Sequence, residues 1–327
     1  MKNIRINGAL YGIVFMLIHT LCLSLIDVSA KILRKSELSS GFVVFCYKFS
    51  LLLIILPFII YKRNQYLKSD RIFVHIIRSI SGTLGALFFY HGLKFLPMAD
   101  AAAIENIQYL IIFCLGFVIF KEKISKTKIV GIIVGFIGAL IVVRPDWFFS
   151  STSKIVQANA DKTYIYIIIA ICCWAFNSII IKMLGNTEHN MTQMFYILLF
   201  ASIISFPTAI FEWNNINIVG INLPLNPSLI DFKKFNIGTE NILLIFCMAL
   251  IYFIHNSAYF LSLRSELSIV VPFRYTKLIF SGIFGYIAFK EKVEIESLIG
   301  YGTIFLSSLI LARYQMKKRK SKHELLK

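Results

Sequence analysis

Residues 271–292 read VPFRYTKLIFSGIFGYIAFKEK, an apolar run with Arg274 and Lys277 inside it and FKEK at its close. The close has a near-copy: YIAFKEKV at 286–293 matches FVIFKEKI at 117–124, an offset of 169. Each copy ends one apolar block and is followed by the last apolar block of its half. With an odd number of spans per half, the copies face opposite sides of a bilayer. Their charges differ accordingly. After the first copy, Lys121, Lys123, Lys126 and Lys128 surround one carboxylate, Glu122; after the second, Lys290 and Lys292 meet Glu291, Glu294 and Glu296. Lysine-rich loops stay in the cytoplasm, so the first loop is predicted inside and the second outside.

The rest of the chain supports a membrane reading. It has 327 residues, 57% hydrophobic and 16% charged, with a mean hydropathy of +0.74. A soluble domain carries about a quarter charged residues. The apolar residues fall in long blocks, the length a helix needs to cross ~30 Å of hydrocarbon. Runs such as SLLLIILPFII and IVGIIVGFIGALIVV do not alternate, which excludes the strands of a membrane barrel. The expected fold class is an all-α polytopic membrane protein, ten transmembrane helices as two inverted five-helix repeats. The spans are predicted near 8–30, 41–61, 72–93, 98–120, 128–143, 163–184, 192–212, 240–263, 267–289 and 296–313.

The domain reading is a first repeat at 1–145, an external connecting loop at 146–162, a second repeat at 163–315 and a basic cytoplasmic tail at 316–327. The Asn- and Pro-rich stretch 213–239 is predicted to be an extramembrane loop. Loop Lys and Arg are more numerous on the side of the two termini, which places both in the cytoplasm. Lys2 and Arg5 precede an apolar run with no small-residue cleavage site, so the first helix is expected to stay uncleaved. The net charge of +17 gathers most clearly in the tail KKRKSK at 317–322. A tail directly after a span points to topology and the lipid bilayer, not to nucleic acid. Cys22, Cys46, Cys114, Cys172, Cys173 and Cys247 lie in apolar blocks without metal spacing and read as small core residues.

The two five-span halves, each with an apolar helix capped by a Lys-Glu step (Lys121-Glu122 and Lys290-Glu291), resemble the EamA-type carriers of the drug/metabolite transporter superfamily. FVHIIRSISG at 73–82 and PFRYTKLIFSG at 272–282 resemble, more narrowly, the S-adenosylmethionine uptake carriers of obligate intracellular bacteria. The resemblance implies an inner-membrane carrier that moves a small metabolite without a cofactor. It carries over to His75, Arg78, Pro272, Arg274, Tyr275 and Glu291. Lys277 is a charge outside that pattern. Import of S-adenosylmethionine is the first expectation, and export of amino acids or related metabolites the alternative. Monomer and homodimer are equally compatible with the chain.

A charge near a bilayer centre costs roughly 2.5–3.5 kcal/mol on insertion scales, so embedded charges mark candidate sites. Subtracting the repeat offset from Arg274 gives Glu105, and from Lys277 gives Gln108. Each pair is spaced i, i+3 and shares a helix face. Glu105 and Arg274 each lie ~9 Å inside their spans, from opposite sides. Their expected difference in depth is ~12 Å. A zwitterionic ligand suits this, with Glu105 or Asp27 facing its cation and Arg274 its carboxylate. An internal Glu105–Arg274 salt bridge is the other reading. The substrate-binding set is then Asp27, Glu105, Gln108, Tyr109, Arg274, Tyr275 and Lys277.

A pathway or gating set comprises Lys48, His75, Arg78, Trp174, His255 and Asn256. Lys31, at i+4 from Asp27, is expected to snorkel outward. Lys48 is expected to snorkel or to pair with Asp27. His75 and Arg78 share one face of the third span. Trp174, Tyr90 and Tyr109 are aromatic candidates for stacking on a base, or for helix packing. Gly131, Gly135 and Gly138 offer a smooth packing face. Pro57 and Pro207 are expected to kink their spans.

No Walker motif appears, and the histidines form neither HxxxH nor HExxH. With no carboxylate pair on one face, an integral membrane enzyme lacks its machinery.

Overall fold

Long apolar runs without backbone partners in lipid must satisfy their own N–H and C=O groups, and helices do so within one segment. The computed structural model describes residues 3–62, 66–94, 96, 98–105, 108, 111–112, 115, 118–119, 126–143, 154–185, 187–218, 221–229, 238–265, 270–291, 298–303, 306–307 and 310. The helices are α1 (Asn3–Lys35), α2 (Ser40–Tyr61), α3 (Ile72–Leu93), α4 (Met98–Glu105), α5 (Lys126–Val143), α6 (Lys154–Gly185), α7 (Asn190–Ile210), α8 (Thr239–Leu263) and α9 (Thr276–Phe289). A 3₁₀ turn, Val271–Tyr275, leads into α9, and residues 298–303 are also helical. Six of the described helices are long and apolar enough to cross a membrane.

Three expectations change. The 213–239 stretch is not all loop: β1 (Phe211–Ile218) and β2 (Ile221–Leu229) pair as an antiparallel hairpin beside the helices of an otherwise helical fold. The β-branched run INIVGIN has a turn-forming Gly at its middle, which favours a hairpin. Second, α6 starts at Lys154, inside the stretch read as a connecting loop. KIVQANADK contains no Gly or Pro to stop a helix. Third, the predicted 267–289 span is not one regular helix, because Pro272 opens the 3₁₀ turn before α9.

The chain forms two compact units that interleave the halves. Unit 1 comprises Met1–Ser24, Pro97–Ser151 and Ala258–Lys327; unit 2 comprises Leu25–Leu96 and Thr152–Ser257. Each unit therefore draws helices from both sequence halves.

In unit 2, α2 packs on α7 and α3 packs on α6 and α7. Ser39 caps α2 by accepting from Phe42 N at 3.1 Å. The start of α2 meets the end of α7, where a side chain on Gly41 would strike the Thr208 backbone, and Phe45 packs on Phe206. Across α3 and α6, Ser81 donates to the Cys173 carbonyl at 2.5 Å and Trp174 Nε1 to the Gly82 carbonyl at 3.3 Å. Gly85 lies under the Trp174 ring.

In unit 1, hydroxyls tie α1 to α9: Thr20 to Thr276 at 3.1 Å and Ser24 to Ser281 at 3.2 Å. Gly135 of α5 packs against the Tyr275 ring, and Ser307 donates to the Gly131 carbonyl at 2.5 Å. The glycine face of α5 is thus a close-packing surface, as expected. At the end of α9, Lys290 adopts a left-handed φ of 56°. Lys290 N and Glu291 N return to the carbonyls of Tyr286 and Gly285, closing the helix. Glu291 Oε2 then accepts from Met98 N at 3.0 Å, at the first residue of α4. The Lys-Glu step is a double cap: its lysine ends one helix and its glutamate begins another.

Outward faces are apolar, as lipid requires: Leu53, Phe58, Ile203, Phe206, Ile242, Leu243 and Ile287 are all exposed. The five described cysteines are free thiols. Cys22 is buried but Cys172 and Cys247 are exposed, so the core reading fails for those two. A small thiol is also tolerated on a lipid-facing surface.

Candidate functional site

Polar side chains fill the interior of both units, and each group can be followed from its helix. In unit 1, Glu105 and Lys277 form an ion pair with both side chains buried, 1% and 0% exposed. Among the described residues the ion-pair partner of Glu105 is Lys277, and Arg274 is engaged elsewhere. Its Nη1 donates to the Tyr259 hydroxyl at 2.9 Å and the guanidinium stacks over that ring, 4.8 Å from its centroid. Tyr259 also stacks on His19, with ring centroids 4.3 Å apart. The Glu105–Arg274 salt bridge is therefore replaced by Glu105–Lys277. The 3₁₀ turn explains the change: Arg274 and Lys277 lie on either side of the passage into α9 and do not share one regular helix face. Tyr275 and Gln108 are buried in the same unit. Tyr109 lies outside the described residues.

In unit 2, Asp27, Tyr47, Lys48, Tyr90 and Asn256 are buried, and His255 nearly so. The Tyr47 hydroxyl lies within electrostatic reach of Tyr90 and Asp27. Its ring meets Tyr252 edge-on at 4.9 Å, and Tyr252 stacks on His255 at 5.7 Å. Asn256 donates to the Tyr252 carbonyl at 3.1 Å. Lys48 Nζ donates to Thr83 Oγ1 at 3.4 Å and lies 6.0 Å from the Tyr47 ring. Lys48 neither snorkels nor, among the described residues, forms an ion pair with Asp27. Lys31 is buried too, donating to the Leu96 carbonyl at 2.7 Å, so it does not snorkel either. A protein carbonyl and hydroxyl within reach replace solvent for these two ammonium groups. Trp174 packs on Phe89 at 4.9 Å and bonds the α3 backbone, a helix-packing role.

A second polar group lies toward the start of α3. His75 Nε2 contacts Glu188 Oε2 at 2.6 Å, and Ser69 donates to Glu188 Oε1 at 2.5 Å. The His75 ring stacks on Tyr196 at 4.8 Å. Arg78, fully buried, donates to Gln193 Oε1 at 3.3 Å and to its backbone carbonyl at 3.5 Å. Arg78 is also within electrostatic reach of Tyr252. His75, Arg78, Ser79, Thr83 and Tyr90 therefore form a buried polar file on α3. It extends over 15 residues, or ~22 Å.

Sequence reading missed Glu188, Gln193, Tyr47, Tyr252 and Tyr259. Glu188 sits in a polar turn between two spans and reads as an ordinary loop charge. The tyrosines look like any aromatic in an apolar helix. For Tyr259 a local signal existed, since it lies at i+4 from His255.

Buried charge on membrane-spanning helices, ordered into internal polar files, defines the class: a polytopic helical solute carrier. The chain belongs to the EamA-like transporter family, whose model matches residues 10–144 and 161–313. It is 25% identical to the S-adenosylmethionine uptake transporter of Rickettsia prowazekii, over 98% of this chain and 99% of that one. With the protein of the same description from Rickettsia bellii it shares 26% identity, over 95% and 96%. An uncharacterized transporter of Helicobacter pylori is 22% identical over 94% of this chain and 96% of its own. A solved crystal structure of a protein at 13% identity superposes with a TM-score of 0.64, over 93% of this chain and 95% of the other; this likeness shows the fold alone.

Proposed function

We propose that the protein is a secondary transporter that imports S-adenosylmethionine across a bacterial inner membrane. The observation that carries this reading is the end-to-end likeness to the two Rickettsia proteins named as uptake transporters for that compound. The interior of unit 2 supports it chemically. S-adenosylmethionine carries a sulfonium, an ammonium, a carboxylate and an adenine. The Asp27 carboxylate, with Tyr47 within electrostatic reach, suits the cationic groups. Tyr252 and His255 offer stacked rings for the base.

The architecture that accompanies the proposal is ten helices in two inverted repeats, at 1–145 and 163–315, with both termini in the cytoplasm. The double family match at 10–144 and 161–313 supports the two-repeat reading. Such repeats let the halves exchange roles as access alternates.

The test is uptake of radiolabelled S-adenosylmethionine by bacteria expressing the protein, beside Asp27→Asn at equal membrane abundance. Uptake that excess unlabelled compound suppresses, and that falls at least tenfold in the variant, is expected. Absence of uptake from well-inserted protein overturns the import reading.

A further inference from the structure

We propose that Lys48, with the Thr83 hydroxyl beside it, binds the carboxylate of an amino-acid-like ligand inside unit 2. The assignment rests on the transport reading for the class of ligand. Six Lys and Arg side chains are buried among the described residues: Lys31, Arg34, Lys48, Arg78, Arg274 and Lys277. Five of them have a close partner or more than one. Lys277 pairs with Glu105, Lys31 and Arg34 donate to the carbonyls of Leu96 and Leu38, and Arg274 donates to Tyr259. Arg78 makes two bonds to Gln193. Lys48 is different. It lies ~12 Å along α2 from Ser40 and is 2% exposed. Its three N–H donors meet one acceptor among the described residues, Thr83 Oγ1 at 3.4 Å, and the Tyr47 ring centroid is 6.0 Å away. Both contacts are at the outer limit of their kind. Among the described residues no carboxylate comes within ion-pair distance of Lys48.

An ammonium so deep in a spanning helix is costly to bury unless an anion joins it. The Thr83 hydroxyl, 0% exposed on α3, replaces only part of a solvent shell. It accepts from Lys48 and keeps its own proton to donate. A charged N–H donor and a hydroxyl donor side by side suit the two oxygens of one carboxylate. The charge count selects the same ligand: a single carboxylate neutralises Lys48, whereas a phosphate dianion would leave an excess charge buried. The rings extend the site. Tyr47, next to Lys48, meets Tyr252 edge-on at 4.9 Å, and Tyr252 stacks on His255 at 5.7 Å. An acid at Lys48 therefore begins the row of rings whose far end is suited to a base, and S-adenosylmethionine carries its acid and its adenine at opposite ends.

The experiment compares ligands that differ only in the carboxylate. Binding to the purified full chain in nanodiscs is measured for S-adenosylmethionine and decarboxylated S-adenosylmethionine, with methionine and its decarboxylated amine as a second pair. The acid of at least one pair should bind the wild type ten or more times more tightly than its partner. Lys48→Met should erase that preference without lowering the melting temperature, because no strong contact is lost with the ammonium. Thr83→Val, which keeps the charge, should reduce the preference at least threefold, so the site is tested even if Lys48→Met fails to fold. Equal binding within each pair, no binding by any acid, or a preference that survives intact in either variant overturns the site. A lower melting temperature in Lys48→Met with the preference intact would make Lys48 a packing contact. Methionine discriminated while S-adenosylmethionine does not bind keeps the site and overturns the S-adenosylmethionine reading. Binding of S-adenosylmethionine without discrimination in either pair does the reverse.

Discussion

Removing Lys277 alone should harm the protein more than removing both partners of its ion pair. Glu105 and Lys277 are each at most 1% exposed, so the carboxylate left behind in Lys277→Met has no water to take the place of the ammonium. Breaking a buried pair from one side costs about 3–5 kcal/mol, whereas replacing both with apolar groups is close to neutral. For a unit of roughly 150 residues, 1 kcal/mol shifts the midpoint by about 2–4 °C, so a fall of about 6–20 °C is expected. The double variant Glu105→Leu/Lys277→Met should recover most of the loss. The assay is the temperature at which half of a fluorescently tagged protein leaves the monodisperse peak in size-exclusion chromatography. If Lys277→Met melts with the wild type, or the double variant melts as low as the worse single, the buried-pair account is refuted. A fall in Arg274→Met matched by rescue in Glu105→Leu/Arg274→Met would restore the pairing expected from sequence.

Other interior contacts give graded outcomes. Tyr259→Phe removes the 2.9 Å bond to Arg274 but keeps its ring under the guanidinium and against His19. It should cost about 1–2 kcal/mol and Tyr259→Leu clearly more, read by the same thermostability assay. Glu291→Ala removes the acceptor at Met98 N and should lower stability by about 1 kcal/mol, as a lost helix cap does. Gly285→Ala should imitate it, because the added Cβ would meet Glu291 Oε2 at 2.6 Å and Met98 Cβ at 3.3 Å. Gly85→Val should lower the yield of folded protein, since even a Cβ there comes within 2.5 Å of the Trp174 ring; Gly185→Ala, with open space around it, should leave yield unchanged.

The amino-acid sequence by itself determined which described helices are long and apolar enough to cross a membrane, and which charges had to be explained. Blocks of apolar residues fix helices α2, α3, α7 and α8 to within two residues or so of their predicted ends, because hydrocarbon length and backbone satisfaction leave little choice. The Lys290-Glu291 step pointed to a helix end before any contact was visible. Tertiary structure decided who pairs with whom. A residue turns about 100° around a helix axis, so a 3₁₀ turn at Pro272 is enough to give Glu105 to Lys277 and leave Arg274 to Tyr259. It also decided that Lys31 and Lys48 stay inside, since a carbonyl on one segment and a hydroxyl on another came within reach. Glu188 became a partner of His75 only when the α6–α7 turn met α3. Hydropathy is a property of each segment alone, while a buried charge is stabilised by whatever the fold brings beside it.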